Sequence, residues 1–177
     1  MLDRILDWID RGWGLLKPFF IVDAYEKAGV LRFGKFHRAA DPGFHWKIPL
    51  CEKPIEITAC VTTVRLPAQY LTTRDDVQVA VASIVKYEVK AVEKYITGIY
   101  DQHDVLVDVT MGAIRQHIAE ANYADLIASP PEEKVATAVR RKAHRYGFEI
   151  HDVTFTSFTK SRPITLISQQ MFASLDN

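Results

Sequence analysis

The chain has 177 residues, with 22 basic and 22 acidic side chains and a formal net charge of zero, so no charge excess points to nucleic acid or to a strongly acidic substrate. This length suits one compact domain with appendages, able to bury a core without metal or disulfide staples. The two cysteines, Cys51 and Cys60, lack CxxC spacing and cannot build a disulfide framework, which points to reduced thiols and an intracellular protein.

From Met1 to Lys17 the residues Leu2, Ile5, Leu6, Ile9, Trp13 and Leu16 recur at steps of three and four, forming one apolar stripe of a helix. Asp3, Asp7, Asp10 and Arg11 lie outside the stripe, and the three aspartates are incompatible with a cleaved secretion signal. The apolar run from Trp13 to Val22 is interrupted by Lys17 and Pro18 and is about half the roughly 20 residues that a straight span requires. Residues 1–22 therefore read as an amphipathic segment suited to the membrane interface. Its membrane-associating side chains would be Leu6, Ile9, Trp13, Leu15, Leu16, Phe19 and Phe20.

Partial immersion at roughly 1 kcal/mol for each such side chain is enough for reversible attachment, and many copies held together attach far more firmly. Charge adds little, because acidic and basic residues balance through Val22. The same stripe also suits packing on the protein body or on another subunit. A third placement is the groove of a partner protein, which would make the chain a soluble adaptor.

Short strands follow at Val30-Leu-Arg-Phe33, Phe44-His-Trp-Lys-Ile48, Ile55-Glu-Ile57 and Val61-Thr-Thr-Val64, separated by Gly34, Asp41-Pro-Gly43, Pro49 and Pro54. A long strand runs from Val77 to Val89 after a turn at Thr73-Arg-Asp-Asp76. Val77, Val79, Val81, Val85, Tyr87 and Val89 lie on one face of it, and Gln78, Lys86, Glu88 and Lys90 on the other. Val107, Met111, Ile114 and Ile118 then mark a helix with one buried face.

Ser129, Pro130 and Glu132 read as a capping box opening a second helix, with Val135, Val139 and Tyr146 inward and Gly147 at its C-terminus. Strand pattern returns in Phe148-Glu-Ile150 and Val153-Thr-Phe155. A last short helix carries Ile164, Ile167, Met171 and Leu175 on its apolar side. Strands, then helices, then a strand indicate an α+β fold, a small antiparallel sheet with packed helices. Three divisions are expected: the segment 1–22, a domain over 23–160, and a C-terminal helix over 161–177.

Three segments in order resemble the stomatin/prohibitin/flotillin (SPFH, band 7) domain family. They are Gly29-Val-Leu-Arg-Phe-Gly-Lys-Phe36 with Asp41-Pro-Gly-Phe-His-Trp-Lys-Ile-Pro49, then Leu71-Thr-Thr-Arg-Asp-Asp-Val-Gln-Val79, and the run from Ile114 to Val153. Asp76 stands where the family often has glycine, a substitution that aspartate tolerates at positive φ. The resemblance implies a large homo-oligomer, a ring or cage on the cytoplasmic face of a membrane, that organises a patch of bilayer. Its partners would be copies of itself, the lipid bilayer, and a membrane protease or channel. Many relatives assemble through a long coiled coil, whereas the segment after residue 160 supplies at most two heptads, so the domain itself is expected to contribute to closure.

No catalytic constellation is legible. The histidines His37, His45, His103, His117, His144 and His151 form no HExxH pair and none sits near a cysteine at metal-ligand spacing. No phosphate loop is present, and Thr154-Phe-Thr-Ser157 has no partnered base. The expectation is a non-enzyme without metal or cofactor, in which His45 plays a structural role at its turn. Glu132-Glu-Lys134 and Arg140-Arg-Lys142 follow helix-dipole preferences. In a ring, opposite charges at these helix ends would meet across subunits, so Glu132, Glu133, Arg140 and Arg141, with Ile167 and Met171 of the last helix, are candidate oligomer contacts.

Overall fold

The computed structural model describes residues 17–98 and 100–161. The expected N-terminal helix, with Leu6, Ile9, Trp13, Leu15 and Leu16, and the C-terminal helix, with Ile164, Ile167, Met171 and Leu175, lie outside the described residues.

The larger layer is built on three antiparallel strands, β6 (Thr62–Thr72), β7 (Gln78–Val89) and β8 (Phe148–Lys160), in the order β6-β7-β8. Period-two alternation puts Val79, Val81, Ser83 and Val85 of β7 on the buried face, while Gln78 and Lys86 remain exposed. The helices between β7 and β8 cover that face: α1 (Val92–Gly98), α2 (Gln102–Glu120), α3 (Tyr123–Ala128) and α4 (Glu132–Ala143), with a 3-10 turn at His144–Tyr146. Leu106, Thr110, Ile114 and Ile118 form the inner stripe of α2, and Val135, Val139 and Ala143 that of α4. All but Thr110 join one core with Val153 and Phe148. Fully burying each Val, Leu or Ile there contributes about 1.5–3 kcal/mol.

Local signals fix several junctions. The Asp101 carboxylate caps α2 by accepting from the Asp104 N–H at 3.3 Å. Gly147 has φ 86, and a Cβ there would lie 2.4 Å from the Ala91 carbonyl oxygen, so both conformation and space demand glycine. Asp76, with φ 60, adopts the left-handed conformation expected of its turn.

The opening of α4 departs from expectation. Ser129 closes α3, its N–H reaching the Asp125 carbonyl at 2.9 Å. Pro131 stands at the N-cap of α4 without a side-chain cap. The Glu132 carboxylate, expected to turn back on its own helix, accepts the Phe155 N–H of β8 at 2.6 Å.

The smaller layer holds β1 (Phe19–Val22), β2 (Glu26–Arg32), β3 (Lys35–Ala40), β4 (Gly43–Trp46) and β5 (Glu52–Thr58). Its strands form an antiparallel β1-β4 ribbon and a sheet in the order β3-β2-β5. The core of this layer is Phe20 and Val22 of β1, Ala28 and Val30 of β2, and Ala40 of β3. Helix α1 joins the two layers by lying on β2, where a Cβ at Gly29 would come 2.1 Å from Ile96 Cδ1 and 3.3 Å from Val92 Cγ1. The boundary expected at residue 22 falls inside the folded body, because β1 is paired with β4 along its whole length.

Candidate membrane-facing surface

The ribbon is where sequence and packing disagree most productively. All four residues of β1 are large and apolar, and a strand that alternates must point two of them each way. Phe20 and Val22 point inward. Phe20 is only 8% exposed, with its ring stacked on His45 at 5.4 Å between centroids. Phe20 therefore serves the core of the smaller layer, and its ring is not available to enter a bilayer as the sequence reading had it.

Phe19 and Ile21 point outward, opposite Trp46 and Phe44 in the β1–β4 register. Their side chains share one face. Phe19 stacks on Phe44 at 5.4 Å, and Phe44 meets Trp46 edge to face at 5.5 Å, an arrangement that rings favour. The face is open to solvent, with Ile21 62% and Trp46 65% exposed. His45 holds the turn before β4, its Nε2–H donating to the Asp41 carbonyl at 2.6 Å. That is the structural role expected of it.

Two loops extend the apolar surface. The β2–β3 hairpin turns at Phe33-Gly34, and the β4–β5 loop projects Ile48 and Leu50. Phe33 and Leu50 have φ of 51 and 67 and are 79% and 82% exposed. A left-handed conformation costs a bulky residue about 1–3 kcal/mol, and neither side chain recovers that cost by burial. The loops lie side by side, joined by the Phe33 N–H to the Cys51 carbonyl at 3.0 Å.

Glu52 supports both loops from below. Its carboxylate accepts from Arg32 Nη2 at 2.6 Å and from the Ile48 N–H at 3.0 Å. The Glu52 N–H returns to the Ile48 carbonyl at 3.0 Å. The Ile48 N–H, then the Arg32 guanidinium, hold this carboxyl below the usual glutamate range against the opposing effect of burial. The N-terminal segment arrives at the same place, since the Lys47 N–H donates to the Pro18 carbonyl at 2.7 Å.

Of the expected membrane-associating residues, the described part therefore places Phe19 on this surface and Phe20 beneath it. Ile21, Phe33, Phe44, Trp46, Ile48 and Leu50 were not anticipated. Their signal was present in Phe19-Phe-Ile-Val22, apolar on both strand faces, and in the alternation Phe44, Trp46, Ile48, Leu50.

The candidate oligomer contacts divide. Glu132 is engaged with β8, and Arg140 donates to the Ile150 and His151 carbonyls at 2.8 and 2.6 Å, so both tie α4 to the edge of β8. Glu133 and Arg141 face solvent.

Elsewhere, a cavity of about 410 Å³ is lined by Lys90, Arg140, His144 and Glu149 among others. Lys90 pairs there with Glu88 at 2.5 Å and with Glu149 at 3.6 Å, and the lining holds no serine, threonine or cysteine. Among the described residues, no three His, Cys, Asp or Glu side chains group as a metal site, and no helix is long and apolar enough to cross a membrane.

Comparison with known proteins agrees with this architecture. Residues 20–165 match the profile of the SPFH domain / Band 7 family. Protein HflK of Haemophilus influenzae is 29% identical over 151 residues, which cover 82% of this chain and 36% of that protein. An uncharacterized protein of Methanocaldococcus jannaschii is 24% identical, with 90% of this chain and 81% of that protein covered. A stomatin homolog of Pyrococcus horikoshii is 27% identical, covering 61% of this chain and 41% of that protein. The chain thus spans about a third of the length of the HflK relative. With an α+β body of antiparallel sheets and packed helices and a family match over most of its length, the chain belongs to the SPFH domain / Band 7 family.

Proposed function

We propose that the chain is a non-catalytic scaffold that associates with the cytoplasmic face of a membrane, assembles with copies of itself, and organises a patch of bilayer and the proteins in it. The observation that carries this reading is the uncovered apolar surface made by Phe19, Ile21, Phe44, Trp46, Phe33 and Leu50. It lies where the N-terminal segment arrives at Pro18, and aromatic rings of this kind suit the headgroup level of a bilayer. Residues 1–16, with Leu6, Ile9, Trp13, Leu15 and Leu16, would add their apolar stripe at the same interface. Self-association would use Glu133 and Arg141 on α4, with Ile167 and Met171. A membrane protease or channel is the class of client proposed for it.

Flotation with liposomes tests the membrane part. The full chain should float, and both a chain lacking residues 1–16 and the variant Phe44→Thr/Trp46→Thr should float less. Because β1 is part of the fold, the deletion stops at residue 16. Equal recovery of all three in the soluble fraction would overturn the reading in favour of an adaptor docking on a protein. A particle-size measurement tests assembly, and a monomer at every concentration would remove the scaffold.

A further inference from the structure

We infer that the tip of the smaller layer binds anionic lipid headgroups through Lys47 and Lys53, which sit beside the apolar side chains of Phe33 and Leu50. The inference rests on the membrane reading above and adds a lipid class to it.

A cavity of about 360 Å³ opens between the two loop tips, lined by Leu31, Lys47, Leu50 and Lys53 among others. A water molecule takes up about 30 Å³, so the space admits a phosphate group together with several waters. Glu52 also lines it, but that carboxylate is already committed to Arg32 and to the Ile48 N–H. Among the described residues, neither Lys47 nor Lys53 has a carboxylate partner. The cavity therefore presents two uncompensated ammonium groups. Lys53 stands opposite Leu31 in the β2–β5 register, and the main chain of Lys47 carries the arriving Pro18. Both lysines thus lie at the level where the N-terminal segment joins the body.

A free phosphate ion would satisfy the two lysines but leave Phe33 and Leu50 in water. A lipid satisfies both, because its headgroup meets the cations while the acyl boundary receives the apolar tips. Lysine stems suit this placement, since their methylenes accept apolar surroundings while the ammonium stays with the headgroups. The charge balance of the N-terminal segment gives no such preference, so selectivity among lipids comes from the folded tip. A lysine near an anionic surface strengthens binding about fivefold at low salt, falling as salt screens it.

The test is vesicle cosedimentation of the full chain with neutral phosphatidylcholine vesicles and with vesicles carrying about a third phosphatidylglycerol. Lys47→Gln/Lys53→Gln is measured beside Lys134→Gln, which removes one charge from exposed α4, and circular dichroism verifies each fold. The full chain should prefer the anionic vesicles by about tenfold or more, a preference erased by high salt and by the double variant but kept by Lys134→Gln. Equal binding to both vesicles would overturn this inference while leaving the membrane reading intact. Equal losses in the double variant and Lys134→Gln would also overturn it, by showing a diffuse charge effect. No binding to either vesicle would overturn the membrane reading itself and this inference with it.

Discussion

The two layers of this protein solve the same packing problem differently. In the larger layer the inner face of β6-β7-β8 meets α2 and α4, and Val79, Val85, Ile114, Ile118, Val135, Val139 and Val153 are removed from water altogether. In the smaller layer β1, β2 and β3 supply a core of Phe20, Val22, Ala28, Val30 and Ala40. Among the described residues, the exposed large apolar side chains outside this layer are Val61, Tyr70, Tyr100 and Ile127, while Phe19, Ile21, Tyr25, Phe33, Phe44, Trp46, Ile48 and Leu50 lie within it. The rings of Phe19, Phe44 and Trp46 touch one another, and contiguous exposed apolar surface of that kind is what interaction sites use, where scattered single residues need no explanation. The fully buried side chains thus concentrate in the larger layer, and the exposed large apolar ones in the smaller.

The largest effect should come from emptying the larger core. Ile114 is fully buried at the centre of α2, so Ile114→Ala is expected to cost about 2–5 kcal/mol, read as a lowered denaturation midpoint with an unchanged slope. Glu52→Ala should follow at about 2 kcal/mol, since it removes charged hydrogen bonds to Arg32 and Ile48. Its damage should be local. Amide exchange is expected to accelerate in β2 and β5 and in the loop to Leu50, while β7 keeps its protection. Matching losses in β7 would break the proposed division between layers.

Acid should mimic that variant. The folded state holds the Glu52 carboxyl below its ordinary pKa, so the folded form binds fewer protons there than the unfolded chain does. Its contribution is full above the ordinary glutamate value and is lost as pH falls through the depressed one. The full chain should therefore lose protection in β2 and β5 in that acid range. Glu52→Gln should make the smaller layer less sensitive to the same change.

How far the sequence could be read follows the same division. The β7 alternation and the Gly147 stop are local patterns whose periods survive folding and were legible. The α2 stripe was legible at Ile114 and Ile118, while its first turns bury Leu106 and Thr110 and leave Val107 and Met111 at the edge of the core. Strand β6 was read only to Val64, although it continues through Pro67 to Thr72. The structure places Pro67 at a bulge between Leu66 and Gln69 on an edge strand, where proline is tolerated. Strand β8 was read as two short pieces because register shifts at Ala82/Ser83 and Lys86/Tyr87 disturb its alternation.

Side chains that serve distant partners were illegible in principle. The Asp75 carboxylate, read as part of a turn, accepts the Tyr123 N–H at 3.0 Å and so caps a helix 48 residues away. Glu132 has the spacing of a capping box but bonds β8. The apolar surface lay between these cases. The double apolar alternation of Phe19 to Val22 was visible, but which face would remain uncovered depended on β4 pairing beside it.

The loop tips allow a smaller test with the opposite sign. Phe33 occupies a left-handed position in a two-residue hairpin turn before Gly34, a place that asparagine fills with little strain. Phe33→Asn is expected to stabilise the chain by about 1 kcal/mol, read as a higher denaturation midpoint, and to weaken flotation with liposomes. A gain in stability with undiminished flotation would separate the strain from the surface.

Trp46→Thr should have the smallest effect on folding, about 0.5 kcal/mol. Threonine keeps the strand propensity, and the loss is confined to one exposed edge-to-face contact with Phe44. Trp46 is as bulky as any residue in the larger core, yet folding gains little from it because its ring remains 65% in water. A loss above about 2 kcal/mol would mean that the ring stabilises the smaller layer itself. A near-neutral change with weakened membrane binding would show that the ring acts on something outside the chain.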